Sequence, residues 1–138
     1  MKKRIEKYFP AAMAAIKTVL QSENEAVVID REFQAYIASF GASVLQMGLL
    51  PTLAVYADKD SSSAKPRPLL LHVLALTLMA DEGKFLSNEA KNALKGRERN
   101  LFQVAVEHEP LRRELTENVL DAAVAVKLCM RTFNLTKL

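Results

Sequence analysis

The sequence predicts an all-α fold, a compact single-domain bundle of about six helices, and three observations predict it. Apolar residues recur at spacings of three and four wherever they are dense, the period that gathers them on one face of a helix. No stretch shows the sustained apolar–polar alternation of a half-buried strand. The chain has 138 residues, 50% hydrophobic and 25% charged, with four Gly and five Pro. That is the make-up of an ordinary globular protein, not of a disordered or fibrous one. A chain of this length buries roughly two-thirds of the surface it exposes when unfolded, so one domain spanning 1–138 is expected.

The first helix is expected from about Lys3 to Leu20, with Ile5, Tyr8, Phe9, Ala12, Ile16, Val19 and Leu20 mostly on one side. Inside a helix Pro10 removes a hydrogen bond and kinks the axis, so the helix equally begins at Pro10, a residue suited to a first helical position. After the polar stretch 21–25, Asp30 is a candidate N-cap. It precedes a helix in which Phe33, Tyr36, Ile37, Phe40, Val44 and Met47 recur at helical spacing. The opposite face is small, with Ala35, Ala38, Ser39, Gly41, Ala42 and Ser43, and would let another helix approach closely. Gly48 supplies a left-handed stop, and Pro51 opens a short third helix reaching about Ala57.

Residues 58–68 hold three serines and two prolines and are expected to form a mobile loop. A core helix follows from about Leu69 to Ala80. With about a dozen residues it is too short to cross a hydrocarbon layer of roughly 30 Å. A turn at 81–84, a short helix from Ser87 to Leu94 capped by Ser87, a helix from about Gly96 to His108, and a last helix from Pro110 to about Phe133 complete the order.

Catalytic chemistry is not expected. Gly41, Gly48, Gly83 and Gly96 are isolated, with no phosphate-cradling pattern and no strand for such a loop to follow. Cys129, His72 and His108 are scattered without the paired spacing of a zinc site, so neither metal nor cofactor is expected. Cys129 reads as a buried structural thiol in a reducing compartment, and His72 as a core histidine among leucines and valines. His108 lies between Glu107 and Glu109, yet adjacent helical residues point about 100° apart, so these three side chains need not converge. The carboxylate pairs Glu23/Glu25, Asp58/Asp60 and Asp81/Glu82 fall at helix ends or loops, and the serines 61–63 lie in the loop. The basic start runs into Glu6, Lys7 and Pro10 with no apolar signal region, so a cytoplasmic protein is expected.

The net charge of +3 is a mild excess, and its distribution matters more than its size. Lys2, Lys3, Arg4 and Lys7 cluster at the start, Lys17 follows, and Lys91, Lys95, Arg97 and Arg99 recur across the junction of two expected helices. These are candidate phosphate contacts. A solvated helix face is the competing reading, and without interleaved aromatics any RNA contact falls on backbone and shape.

The block from Glu32 to Tyr56, EFQAYIASFGASVLQMGLLPTLAVY, resembles the small subunit of the type III-B CRISPR effector, the Cmr complex. The helix, the Gly48-Leu49 turn and the apolar helix ending near Tyr56-Ala57-Asp58 carry the resemblance, over about a fifth of the chain. It implies a non-catalytic helical bundle in an RNA-guided antiviral-defence ribonucleoprotein. It also implies a protein that stacks with other subunits, including copies of itself, and supports the binding of guide and target RNA; from the short apolar segment 69–80, no membrane contact is expected. A helical protein–protein adaptor without a nucleic-acid role is the alternative.

Overall fold

The computed structural model describes residues 5–20, 28–29, 31–58, 67–80 and 85–135. They form seven α-helices: α1 Phe9–Leu20, α2 Arg31–Met47, α3 Leu49–Ala57, α4 Pro68–Met79, α5 Asn88–Leu94, α6 Leu101–Glu107 and α7 Arg112–Met130. A 3-10 turn, Glu109–Leu111, leads into α7. The fold is all-α, as the spacing of apolar residues predicts. The one addition is a two-residue parallel pair, β1 Val28–Ile29 and β2 Asn134–Leu135, with Val28 opposite Asn134. Two residues are too short to carry any period.

The centre is α4, which packs against α1, α7 and α3, while α7 also carries α1 and α2. Leu70, Leu71, Val73, Leu74, Ala75, Thr77 and Leu78 are all buried, which is why this segment reads as apolar on every side. Each fully buried leucine contributes roughly 1.5–3 kcal/mol of transfer free energy. Thr77, buried among them, donates its hydroxyl to the Val73 carbonyl at 2.8 Å, so that hydroxyl is not left without a partner. Pro68 occupies the first helical position, where its missing N–H costs nothing.

Pro10 is the second residue of α1, again where no N–H is required. A separate turn precedes it, closed by the Tyr8 N–H to the Ile5 carbonyl at 3.0 Å. Of the two sequence readings, the helix beginning beside Pro10 is therefore found. Tyr8 is buried, stacks on Phe85 with ring centroids 3.8 Å apart, and donates its hydroxyl to Asn118 Oδ1 at 2.6 Å. It thus ties the start of α1 to the middle of α7.

Only Gly48 separates α2 from α3. Its N–H closes α2 onto Val44 O at 2.8 Å, and its carbonyl accepts from the Thr52 hydroxyl at 2.9 Å in the first turn of α3. The expected positive φ is found at 94°, but ψ is 169°, so the residue lies in a mirror-extended region open essentially to glycine alone and not in the left-handed helical one. The difference matters: instead of only stopping α2, Gly48 starts α3 two residues earlier than Pro51. Met47, the last residue of the apolar series on α2, is 50% exposed.

The helix expected from Gly96 begins at Leu101 instead. Gly96, at φ 77°, ends α5 in a left-handed step, and 95–100 form turns in which Arg97 N–H reaches Leu94 O at 2.8 Å and Asn100 N–H reaches Arg97 O at 2.9 Å. Asp30, the turn at 81–84 and most of the expected loop, 59–66, lie outside the described residues. Among the described residues no helix is long and apolar enough to cross a membrane.

Candidate nucleic-acid interface

Lys2, Lys3 and Arg4 lie outside the described residues; Lys7 is exposed in the turn before α1, and Lys17 is exposed near the end of that helix. Lys91 is half-buried on α5, Lys95 is exposed at its C-cap, and Arg97 and Arg99 sit in the turn that follows. The four do not line one helix face. Arg97 is committed to Glu107, with Nη1 to Oε1 at 2.9 Å and Nη2 to Oε2 at 3.3 Å. The hydrogen bond and charge of each hold the Arg97 pKa up and the Glu107 pKa down. Arg99 is exposed.

The surroundings of this cluster are closed by polar pairing. Ser87 Oγ accepts from the Ala90 N–H at 3.2 Å, the expected cap of α5, while the Ser87 N–H and hydroxyl both donate to Glu114 of α7, at 2.6 and 2.8 Å. Arg112 caps the other end of α6, donating Nε to Ala105 O and Nη2 to Val106 O, each at 2.8 Å. Sequence reasoning missed both partners, since each lies in a different helix from the group it satisfies.

The seam between α2 and α7 is unlike this. Leu120, Ala123 and Val124 of α7 face Ala38, Gly41 and Ala42 of α2 across an open apolar groove of about 450 Å3. Val124 and Leu128 are each 40% exposed, and Leu45 is 77% exposed. The small face of α2 is therefore left partly open by this chain's own helices. At the α2 N-terminal end the groove meets a second hollow of about 350 Å3, lined by Arg31, Gln34, Ala35, Ala38, Lys127 and Arg131. Ala38 and Lys127 border both. The sequence hides this basic group because its two halves are far apart along the chain. The spacing of four between Lys127 and Arg131 was its only visible trace.

His72 is half-buried on α4, and burial lowers its pKa from 6.5, assisted by the charge of Arg99 and opposed by Glu98. His108 sits at the junction of α6 with the 3-10 turn, its N–H bonded to Val104 O at 3.0 Å. Cys129 is buried, with Sγ 3.7 Å from the Phe9 carbonyl, and burial raises its pKa. This inert environment fits a structural thiol. Among the described residues no group of three or more His, Cys, Asp or Glu is placed to hold a metal ion.

The chain matches the family described as CRISPR-associated protein (Cas_Cmr5) over residues 6–131. It belongs to that family. The matched span takes in every α-helix described, from Phe9 to Met130, and both flanks of the α2–α7 seam. Membership in the Cmr5 family makes the chain a subunit of a CRISPR-associated Cmr complex, the small subunit of type III-B. No curated protein and no solved structure matches it significantly.

Proposed function

We propose that this protein is a non-catalytic small subunit of the type III-B effector, stacking with other subunits, copies of itself included, and supporting the binding of guide and target RNA. The observation that carries the reading is the family match over residues 6–131. The bundle supports it by its economy. The two histidines lie in different settings, one on the central helix and one at a helix junction, and among the described residues neither is hydrogen-bonded to a carboxylate that would orient it as a base. Lys95 and Arg99 extend from the α5–α6 turn, and Lys7 and Lys17 from the α1 side, where phosphate contact requires only charge and reach.

A second reading, a protein–protein adaptor without nucleic acid, is favoured by one observation, the exposed apolar groove along α2 and α7. One experiment tests the two together. The effector is reconstituted with and without this chain, and target RNA affinity is measured at several salt concentrations. Support for RNA binding predicts a loss of affinity on omission and a shallower dependence of log affinity on log salt. Unchanged affinity and slope with a lost subunit contact select the adaptor. Incubating the isolated chain with labelled RNA and a divalent metal completes the test, since cleavage abolished by His108→Ala would overturn the non-catalytic reading.

A further inference from the structure

We infer that the outward face of α7 is a docking surface for a second copy of this chain, the two α7 helices lying antiparallel about a two-fold axis beside Val124. The inference rests on the reading above in which copies of the chain meet, names a surface for one such meeting, and requires no RNA.

At about 100° per residue, Glu117, Leu120, Asp121, Lys127, Leu128 and Arg131 all fall within about 60° of Val124 around the axis of α7. Arg131 is the C-cap and keeps helical backbone angles, so it extends the same face. Val124 and Leu128 are each 40% exposed, Leu120 is half-buried, and Glu117 and Arg131 are exposed. The described helices therefore leave this face open. Leu45 of α2, 77% exposed, widens the apolar strip across the neighbouring groove.

The order of residues on either side of Val124 selects a second copy as the occupant. Leu120 and Leu128 stand four residues before and after it, Asp121 and Lys127 three, and Glu117 and Arg131 seven. Reversing the helix and laying it on itself therefore sets Val124 on Val124, leucine on leucine, and each carboxylate on a cation. An isologous contact demands this self-complementarity, since whatever residue i meets must meet i in return. A parallel pairing would instead set Glu117 on Glu117 and Lys127 on Lys127. The helix dipole favours cations in the last turn, but it acts only within the first and last turns, and Glu117 and Asp121 are the sixth and tenth of the 19 residues. The match uses the sign of each charge and does not need it idle. Glu117 meets Arg113 at 3.6 Å with both side chains mostly exposed, a contact of little worth, and Asp121 interacts within its own fold. One helix face buries well under the roughly 800 Å2 per partner of a standard interface, so the pair is weak and forms as concentration rises.

The test is sedimentation equilibrium of the isolated full chain as its concentration is raised. The unaltered chain should pass reversibly from one copy to two and stop there, because an isologous contact closes on itself. Val124→Glu brings two like charges together at the axis and should weaken pairing about tenfold or more, while its melting temperature in dilute solution stays unaltered. Arg131→Glu turns both outer pairs repulsive and should weaken pairing roughly fivefold. Adding Glu117→Arg to it exchanges the two charges, re-forms both pairs across the axis, and should restore pairing. The inference is overturned if the unaltered chain stays a single copy at its highest soluble concentration, if assembly grows past two, or if Val124→Glu pairs as well as the unaltered chain. If Arg131→Glu weakens pairing and the double variant does not restore it, copies meet in another arrangement, and the antiparallel pair is overturned as well. These outcomes leave the target RNA measurement on the reconstituted effector untouched, so the reading above stands or fails separately.

Discussion

The edge of the bundle around α5 and α6 and the seam between α2 and α7 are built from similar residue types and end in opposite states. At the first, Ser87, Glu114, Arg97, Glu107 and Arg112 satisfy one another and the helix ends between them. At the second, cations and aliphatic side chains face outward over a floor of alanine and glycine. Polar residues at a helix end have local work to do and find local partners. A face that leaves charge and apolar surface open to solvent is the better candidate for contact with another molecule.

The difference can be broken from the closed side first. Arg112→Ala removes two donors from the last carbonyls of α6 and should cost about 2 kcal/mol, since such bonds come from a charged group. Denaturant unfolding measures it. A cost within about 0.5 kcal/mol, the range of ordinary surface changes, would erase the distinction from Lys127→Ala and Arg131→Ala, for which that range is expected.

Two glycines on and beside α2 sharpen the comparison because they should respond with opposite signs. Gly48→Ala meets only Pro51 Cδ at 3.9 Å, so sterics are permissive, yet the mirror-extended backbone should lower stability by about 1 kcal/mol or more. Gly41 lies mid-helix with open space where its Cβ would stand. Gly41→Ala should raise stability by about 0.5–1 kcal/mol, the helix-propensity difference. Thermal melts of both variants give the signs. A destabilised Gly41→Ala would mean that the seam is already closed in solution.

The smallest expected effect concerns His72. Its folded pKa is lowered, so the unfolded chain takes up the proton first. Stability is therefore complete above about pH 6.5 and declines as pH falls toward the folded value. His72→Gln should flatten the fall in melting temperature between pH 7.5 and 5.5. An identical fall in the variant and the unaltered chain would assign the pH dependence elsewhere.

The helices were legible because each carries its own period: Phe33, Ile37, Phe40 and Val44 form the buried stripe of α2, and Ser87 announces its own cap. On α7 the period fails as a guide. Apolar residues cover so much of its circumference that Leu120, Val124 and Leu128 read as core, although the last two are partly exposed. The Gly96 error has a related cause, since a positive φ is not encoded in glycine's identity, and the same residue type can begin, end or interrupt a helix. Among the site residues, Arg97 looked like its basic neighbours because Glu107, ten positions away, becomes its partner only after two turns of folded chain. The Arg31–Lys127–Arg131 group is tertiary altogether.

The bond from Tyr8 to Asn118 spans 110 positions, and this sets an order of events during synthesis. At about 5–20 residues per second, a ribosome delivers Asn118 several seconds after Tyr8. Once α4 has been made, at Pro68–Met79, the apolar face of α1 has it as an available neighbour, and among the described residues these two helices make the most extensive contact in the bundle. An α1–α4 pair can thus shelter the nascent chain until α7 arrives to receive the tyrosine hydroxyl. Slowing translation between α4 and α7 should therefore lengthen the life of a half-made bundle without exposing its first helix bare.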